Sequence, residues 1–243
     1  MSAVVVSRRG DNSGDAVRPP SDLLSLELGA DRTHMDYLRL RPDAFSGGAV
    51  VLSFDMCSSS DILEELILKN EVDRFHSLVG AIKHWLSDAQ KIVTFDPYKF
   101  TGDGWILLLP ERSTGGDYLL ALLQGLAAFF RREFESRVMP CLDTPPKMMG
   151  LTFGLDKGPI SAAMKIFASD EYVGRPINIA CRLQTAVKDL TRNPQYQGLI
   201  SASAFDAYLA SAANLQSTLQ QMPLRNIRGG SPFRCMLFSV APS

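Results

Sequence analysis

Two acidic residues, Asp55 and Asp103, lie where the chain could bind a hard metal cation. Asp55 ends the apolar run GAVVLSFD (residues 48–55), and Asp103 lies at the tip of the turn TGDG (residues 101–104). Mg²⁺ and Mn²⁺ prefer oxygen ligands and keep positions open for phosphate. Aspartate is also common in turns that have no function, so each acid alone is weak evidence. Pairing of the two strands would bring both carboxylates together.

The segment that follows the first acid could hold an anion. Residues 56–60 offer backbone N–H groups at the start of the next helix, and helix N-termini attract anions through unpaired donors and the helix dipole. The sequence therefore suggests that Ser58, Ser59 and Ser60 lie against a triphosphate. The alternative is that the three serines only cap the helix.

Two further polar groups could contact a nucleotide. Asn178 and Arg182 in EYVGRPINIACRL are four residues apart and so share one helical face. Asparagine offers an amide donor, and arginine offers a planar fork that suits phosphate oxygens. Arg228 precedes Gly229-Gly230 and places a basic group at a turn. Each of these residues, taken alone, is more often an ordinary surface residue.

The first half of the chain alternates short strands with helices. A buried strand over residues 48–55 precedes a helix that begins near Ser60, and apolar residues at helical spacing predict a second helix over residues 72–89. The segments KIVTFDPYKF and WILLLP flank the turn at Asp103 and predict a hairpin. A long apolar helix over residues 117–134 follows.

The second half continues this mixture after a proline-rich break. Strands are expected in MMGLTFGLDKG and PISAAMKIF, joined by Lys157-Gly158, and a helix over residues 176–187 begins with proline in its first turn. Short strands near residue 199 and over residues 233–240 enclose a helix over residues 204–213. This order predicts an α+β domain with a mostly antiparallel sheet and helices on one side.

Composition sets the domain organisation and excludes some functions. The chain has 243 residues, of which 46% are hydrophobic and 21% charged, which suits one domain. Residues 1–22 are polar and end in a proline pair, so we expect a disordered tail before a catalytic domain over residues 23–243. The net charge of -1 gives no general attraction to nucleic acid or to an anionic membrane.

The same composition argues for a cytoplasmic location. No uninterrupted apolar run approaches the roughly 20 residues of a membrane span, and the first residues do not match a signal peptide. Four cysteines are widely scattered with no CxxC pair, which indicates reduced thiols rather than disulfides or a zinc site.

Five segments in order, FDMCSSSDILEEL, KFTGDG, GLTFGLDKGPI, EYVGRPINIACRL and IRGG, resemble the class III nucleotide cyclase catalytic domain over about residues 50–240. The resemblance implies a ferredoxin-like cyclase fold with a mostly antiparallel sheet and helices packed on it. It also implies a head-to-tail homodimer with two composite sites, to which this chain can contribute both halves.

The resemblance implies a role for each matching residue. Asp55 and Asp103 would bind two Mn²⁺ or Mg²⁺ ions per active site, with the backbone carbonyl of Met56 as a further ligand. The remaining matches would orient the ribose (Asn178), stabilise charge on the α-phosphate (Arg182), bind the terminal phosphates (Arg228) and read the base (Lys99 and Glu171). The three histidines lie outside the motifs, so no histidine base is expected.

The substrate base is less well defined. A donor at Lys99 and an acceptor at Glu171 complement adenine, cytosine or uracil, so the hydrogen-bond pattern leaves the choice open. Ser58 and Ser59 replace the glycine and aromatic residue common in the family, and Glu171 replaces the Asp or Thr of typical adenylate cyclases. The chain is most similar to bacterial pyrimidine cyclases of anti-phage Pycsar systems. This likeness implies UTP or CTP as substrate, with UTP favoured, cyclic UMP as an antiviral signal and Mn²⁺ as metal. The alternatives are an ATP cyclase and an inactive nucleotide-binding regulatory module.

Overall fold

The computed structural model describes residues 40–166, 169–212, 215–224 and 232–242. The predicted tail over residues 1–22 and Arg228 lie outside the described residues. The strands are β1 (Ala49–Met56), β2 (Asp96–Phe100), β3 (Gly104–Pro110), β4 (Leu151–Gly158), β5 (Ser161–Ile166), β6 (Ser169–Val173), β7 (Gln197–Ser201), β8 (Ser217–Met222) and β9 (Phe233–Ser239). The α-helices are α1 (Ser59–Leu68), α2 (Val72–Ala89), α3 (Gly116–Arg137), α4 (Arg175–Leu190) and α5 (Ala202–Tyr208).

Seven strands form the main sheet in the order β2-β3-β1-β4-β7-β9-β8. Every neighbouring pair is antiparallel except β4 and β7, which run parallel. The strands β5 and β6 form a separate two-stranded sheet. The prediction of an α+β fold with a mostly antiparallel sheet is therefore confirmed.

Helices pack on both faces of this sheet, so the prediction of helices on one side is wrong. Alternate residues of β1, such as Leu52 and Phe54, lie in the large core with α1, α2 and α3. Val51 lies in a second core that includes Ala180 of α4. The physical reason is visible in β1 itself, because a nearly continuous apolar strand is typical of a strand that is buried on both faces.

Several helix ends differ from the predictions. The helix α1 begins at Ser59, one residue before the expected start at Ser60, and Ser58 is its N-cap residue. The helix α2 spans the predicted residues, whereas α3 is longer and α5 shorter than expected. The helix α4 continues to Leu190, three residues past the predicted end, and this extension matters for the site.

The polar strands were missed. The strand predicted in PISAAMKIF is present as β5, and it pairs with β6, a strand that was not predicted. The sequence of β6, SDEYV, and that of β8, STLQQM, are too polar to predict strands. Since β8 lies at the sheet edge and is largely exposed, cross-strand hydrogen bonds rather than an apolar pattern define it.

Two predicted absences can be compared with the structure. Among the helices of the described residues, none combines the length and apolar character that a membrane crossing needs. All four cysteines have free thiols, as the scattered spacing predicts.

Candidate active site

Antiparallel pairing of β1 with β3 brings the two acids together. Asp55 lies opposite Gly104, and Asp103 is the residue that precedes this partner. The N–H of Thr101 donates a 3.0 Å hydrogen bond to the carbonyl oxygen of Gly104 and closes the turn. The turn therefore holds Asp103 beside the end of β1.

Gly104 is required for this close approach. A Cβ atom at Gly104 would lie 2.0 Å from the carbonyl oxygen of Phe54, far inside van der Waals contact. Any larger residue would push β3 away from β1 at the position of Asp55. The second glycine of the Gly-Asp-Gly turn thus has a steric role that adds to its turn preference.

The two carboxyl groups interact directly and raise the proton affinity of Asp55. Burial is the largest cause, followed by a hydrogen bond with Asp103, and together they raise the pKa of Asp55 to about 6 even though Lys188 opposes the shift. The hydroxyl of Ser59 donates a short hydrogen bond to Oδ2 of Asp103. Two acids crowded in this way favour a cation, and the chemistry of the donor set fits a divalent metal.

A cation from the same chain contacts Asp55. The Nζ atom of Lys188 lies 3.0 Å from Oδ2 of Asp55. One helical turn earlier, Nε2 of Gln184 donates a 2.8 Å hydrogen bond to Oγ1 of Thr152 and lies 3.4 Å from Oδ2 of Asp55. The last two turns of α4 therefore approach Asp55.

Close packing of α4 on β4 makes these contacts possible. A Cβ atom at Gly154 would lie 2.0 Å from the carbonyl oxygen of Ala180, so only glycine allows the helix to lie this near the strand. The neighbouring strand β1 then lies within reach of long side chains from α4.

The segment from Met56 to Ser60 turns sharply between β1 and α1. The side chain of Met56 is buried in the large core, so only its backbone can face the acids. Ser58 has φ 53° and ψ 25°, a left-handed conformation that is costly for a residue other than glycine. Its side chain makes no cap hydrogen bond, and Ser60 is exposed. The simple interpretation of the three serines as side-chain caps is therefore not supported.

The predicted base-reading residues are neighbours. Nζ of Lys99 lies 3.6 Å from Oε2 of Glu171. The buried Tyr98 donates a 2.7 Å hydrogen bond from its hydroxyl to the same Oε2, and the N–H of Tyr172 donates to the Tyr98 hydroxyl at 3.1 Å. The strand β2 and the small β5–β6 sheet thus form one polar cluster.

Asn178 and Arg182 lie on a different side of α4 from the residues that contact Asp55. At 100° per residue, the direction midway between Asn178 and Arg182 is about 120° around the helix from that between Gln184 and Lys188. Asn178 is exposed and Arg182 is half-buried. The pair Asn178 and Arg182 therefore faces a different part of the molecule from the pair Gln184 and Lys188.

Sequence reasoning missed Tyr98, Thr152, Gln184 and Lys188. A signal existed for one pair, because Gln184 and Lys188 are spaced four apart on one helical face. The predicted helix ended at residue 187 and so excluded the lysine. Tyr98 had no local signal, since its contact is made with a residue 73 positions away.

Within the described ranges, no group of three or more His, Cys, Asp and Glu side chains converges on a possible metal position. A metal at Asp55 and Asp103 would therefore need ligands from the backbone or from a substrate. This requirement is compatible with Mg²⁺ or Mn²⁺, which are often held by one or two carboxylates and substrate phosphates.

No protein-family model matches the sequence, and no curated protein matches it either. Solved structures do match, with sequence identities of 14–17%. The adenylyl cyclase CyaB from P. aeruginosa matches with a TM-score of 0.61, over 80% of this chain and 95% of that chain, at 14% identity. The guanylyl cyclase Cya2 matches with a TM-score of 0.58, over 80% and 94%, at 15% identity.

A third match is an adenylate cyclase from Trypanosoma brucei, with a TM-score of 0.57 and 17% identity over 84% of this chain and 93% of that chain. The chain therefore has the fold of class III nucleotide cyclase catalytic domains. Each match extends over nearly the whole length of the solved structure and over most of this chain. The likeness therefore concerns the entire fold.

Proposed function

We propose that the protein is a nucleotide cyclase that converts a nucleoside triphosphate to the 3′,5′-cyclic mononucleotide and pyrophosphate. The observation that carries this proposal is the direct contact between Asp55 and Asp103 at the end of β1, within a class III cyclase fold. A structural ion pair would not require two acids to share one partly buried position. The raised pKa of Asp55 is typical of a functional site.

Asp55 and Asp103 would hold two divalent ions, with the backbone carbonyl of Met56 as a further ligand. Bound Mn²⁺ or Mg²⁺ ions supply positive charge that favours ionisation of the ribose 3′-hydroxyl and departure of pyrophosphate. Ser59 orients Asp103 through its hydrogen bond. The backbone N–H groups at the start of α1, around Ser58 and Ser60, would receive phosphate oxygens.

The remaining groups would complete the site of a second subunit. Asn178 would orient the ribose and Arg182 would stabilise charge on the α-phosphate. Their direction on α4, away from Gln184 and Lys188, supports a homodimer in which each protomer gives its metal acids to one site and its ribose and phosphate groups to the other. Arg228 is assigned to the terminal phosphates on sequence resemblance alone.

We propose UTP as the preferred substrate and cyclic UMP as a cytoplasmic defence signal against phage. Support for a pyrimidine comes from the sequence resemblance to pyrimidine cyclases, and the contact of Lys99 with Glu171 is consistent with a shared base-reading role. A carboxylate at Glu171 accepts the hydrogen bond from the Tyr98 hydroxyl and could accept one from a base. The N3–H of uracil and the amino groups of cytosine and adenine are all suitable donors, so the choice of UTP rests on the sequence resemblance.

Incubation of the purified protein with ATP, GTP, CTP and UTP in the presence of Mn²⁺ tests the proposal. Wild type should form one cyclic product in excess, and Asp55→Ala should abolish its formation. The matched control is Asp73→Ala, which removes an aspartate whose side chain is 99% exposed on α2. Equal product from wild type and Asp55→Ala would remove the proposed metal site.

The competing proposal is an inactive nucleotide-binding module with the same fold. Such a protein would bind a triphosphate with a measurable Kd but form no cyclic product at any pH or metal concentration. The presence of Asp55, Asp103, Asn178 and Arg182 argues for an active enzyme, because loss of one of these groups is the usual route to inactivity.

A further inference from the structure

The side chain of Lys188 forms an ion pair with Asp55. Its Nζ atom lies 3.0 Å from Oδ2 of Asp55, at a distance typical of a charge-assisted hydrogen bond. The other side chains beside this carboxylate are the uncharged Gln184 and the acidic Asp103. Lys188 therefore brings a positive charge to the position where the proposed function needs a metal ion.

This ion pair competes with a divalent ion for Oδ2 of Asp55. An ammonium group within hydrogen-bond distance of a carboxylate oxygen repels a divalent cation that binds the same oxygen, and the repulsion grows where burial lowers the effective dielectric. The Asp55 side chain is only 21% exposed, so solvent screens it weakly. A metal that binds Oδ2 would consequently displace Lys188.

Lys188 is free to move without disturbing the fold. Its side chain is 40% exposed and lies in the last turn of α4, with a flexible four-carbon stem. The neighbouring backbone stays in place because Gly154 packs against the middle of α4 rather than its end. A rotamer change suffices to carry the ammonium from Asp55 into the space beside it.

We propose that Lys188 is an exchangeable counter-ion that pairs with Asp55 in the metal-free protein and with a phosphate of the triphosphate once metals are bound. This inference rests on the proposed function, because it needs a metal at Asp55 and a nucleotide beside it. Lys188 then opposes metal binding in the absence of nucleotide and supports it in the presence of nucleotide. The result is coupled binding of metal and triphosphate.

The alternative role is purely structural. A lysine in the last turn of a helix interacts favourably with the helix dipole, and the pair with Asp55 could simply fasten α4 to β1. A structural role predicts that removal of Lys188 changes both affinities in the same direction or changes neither. An exchangeable counter-ion predicts opposite directions.

The test is a titration of the intact protein with Mn²⁺, followed by electron paramagnetic resonance of the free ion, with and without α,β-methylene-UTP, which cannot release pyrophosphate. For Lys188→Met we expect Mn²⁺ alone to bind about three- to tenfold more tightly, and the nucleotide analogue with Mn²⁺ to bind about three- to tenfold more weakly. Lys188→Gln should give the same signs and serves if the first variant does not fold.

Two control variants complete the design. Lys157→Met removes another ion-paired lysine, which lies 2.6 Å from Glu111, and should leave both affinities unchanged. Lys188→Arg keeps the charge, so the affinity for Mn²⁺ alone and the affinity for the nucleotide analogue with Mn²⁺ should keep the same order as in wild type. Affinity changes of the same sign in Lys188→Met, or no change, would overturn the inference.

Failure of the proposed function would look different. If Asp55→Asn binds Mn²⁺ as tightly as wild type, or if wild type binds none, the proposed metal site is wrong and the role of Lys188 falls with it. A different result is that wild type binds Mn²⁺ through Asp55 while Lys188→Met and Lys188→Gln do not change the affinities for Mn²⁺ alone and for the nucleotide analogue in opposite directions. In that case the metal site stands and only the counter-ion inference fails.

Discussion

The hydroxyl of Tyr98 donates a 2.7 Å hydrogen bond to Oε2 of Glu171, the carboxylate oxygen that also lies 3.6 Å from Nζ of Lys99. Glu171 thus contacts a buried phenol and a lysine ammonium through the same carboxylate oxygen. Tyr98 is buried, and the N–H of Tyr172 holds its hydroxyl from the other side. The phenol therefore positions the residue that is proposed to read the base.

Tyr98→Phe should weaken discrimination among triphosphates. Loss of a buried hydrogen bond to a charged group costs about 1–2 kcal/mol, which corresponds to a fall of about 5- to 30-fold in the ratio of kcat/KM between the preferred triphosphate and its competitors. The measurement is a competition assay with all four triphosphates. Mn²⁺ affinity should stay at the wild-type value.

The matched control for that experiment is Tyr196→Phe. The hydroxyl of Tyr196 is buried and has no hydrogen-bond partner among the residues that the structure describes. Its removal should leave substrate preference unchanged. Equal loss of discrimination in both variants would assign the effect to general stability rather than to Glu171.

The stability of the metal-free protein should depend on the charge of Asp55. Its pKa is about 6 in the folded protein, against 3.8 for a free aspartate such as that of the unfolded chain, so the folded state binds the proton more tightly. The ionised carboxylate therefore destabilises the fold above about pH 6, and this cost disappears as the pH falls toward 4. Asp55→Asn should stabilise the metal-free protein by up to about 3 kcal/mol at pH 7.5, and by little at pH 4.

Urea unfolding of wild type and Asp55→Asn between pH 4 and pH 8, with a chelator present, measures this dependence. Asp73→Asn, at an exposed position, should give no comparable trend. A stability difference that stays constant over this pH range would contradict the assignment of the raised pKa to Asp55.

Mixing two inactive variants should restore activity if the sites are shared between subunits. Asp103→Ala lacks a proposed metal ligand, and Arg182→Ala lacks the side chain that is proposed to contact the α-phosphate. A mixed dimer nevertheless contains one complete site. Random exchange at equal concentrations should give about a quarter of wild-type activity, since half the dimers are mixed and each has one working site. A mixture of Asp55→Ala with Asp103→Ala should stay inactive, because both defects affect the metal half.

Gly104→Ala should disrupt the candidate site through sterics alone. Its Cβ atom would meet the carbonyl oxygen of Phe54 at 2.0 Å, so we expect a loss of about 2–4 kcal/mol in the free energy of unfolding. Gly80→Ala, in the interior of α2 where a Cβ atom meets nothing within 4 Å, should stabilise the protein by up to about 1 kcal/mol. Chemical denaturation of both variants measures the contrast.

The parts of the fold that were predictable depend on local signals. The helix α2 follows its apolar periodicity, and the hairpin around Asp103 follows its turn residues, so both could be placed from the sequence. The strands β6 and β8 could not, because cross-strand hydrogen bonds determine them and their side chains are mostly polar.

The residues of the candidate site also differ in whether the sequence could predict them. Asp55 and Asp103 each end a recognisable strand or turn, and antiparallel pairing brings them together. The contact of Lys188 with Asp55 joins residues 133 positions apart and depends on how closely α4 packs on Gly154. Such contacts follow from tertiary packing, which the spacing of two residues on one helix face does not specify.

The most direct test of cyclisation is the product balance of a single-turnover reaction with UTP and Mn²⁺, followed by mass spectrometry and a pyrophosphate assay. The account predicts cyclic 3′,5′-UMP and pyrophosphate in equal amounts, with neither formed by Asp103→Asn. A linear monophosphate in place of the cyclic product, or bound UTP with no turnover of any of the four triphosphates, would contradict it.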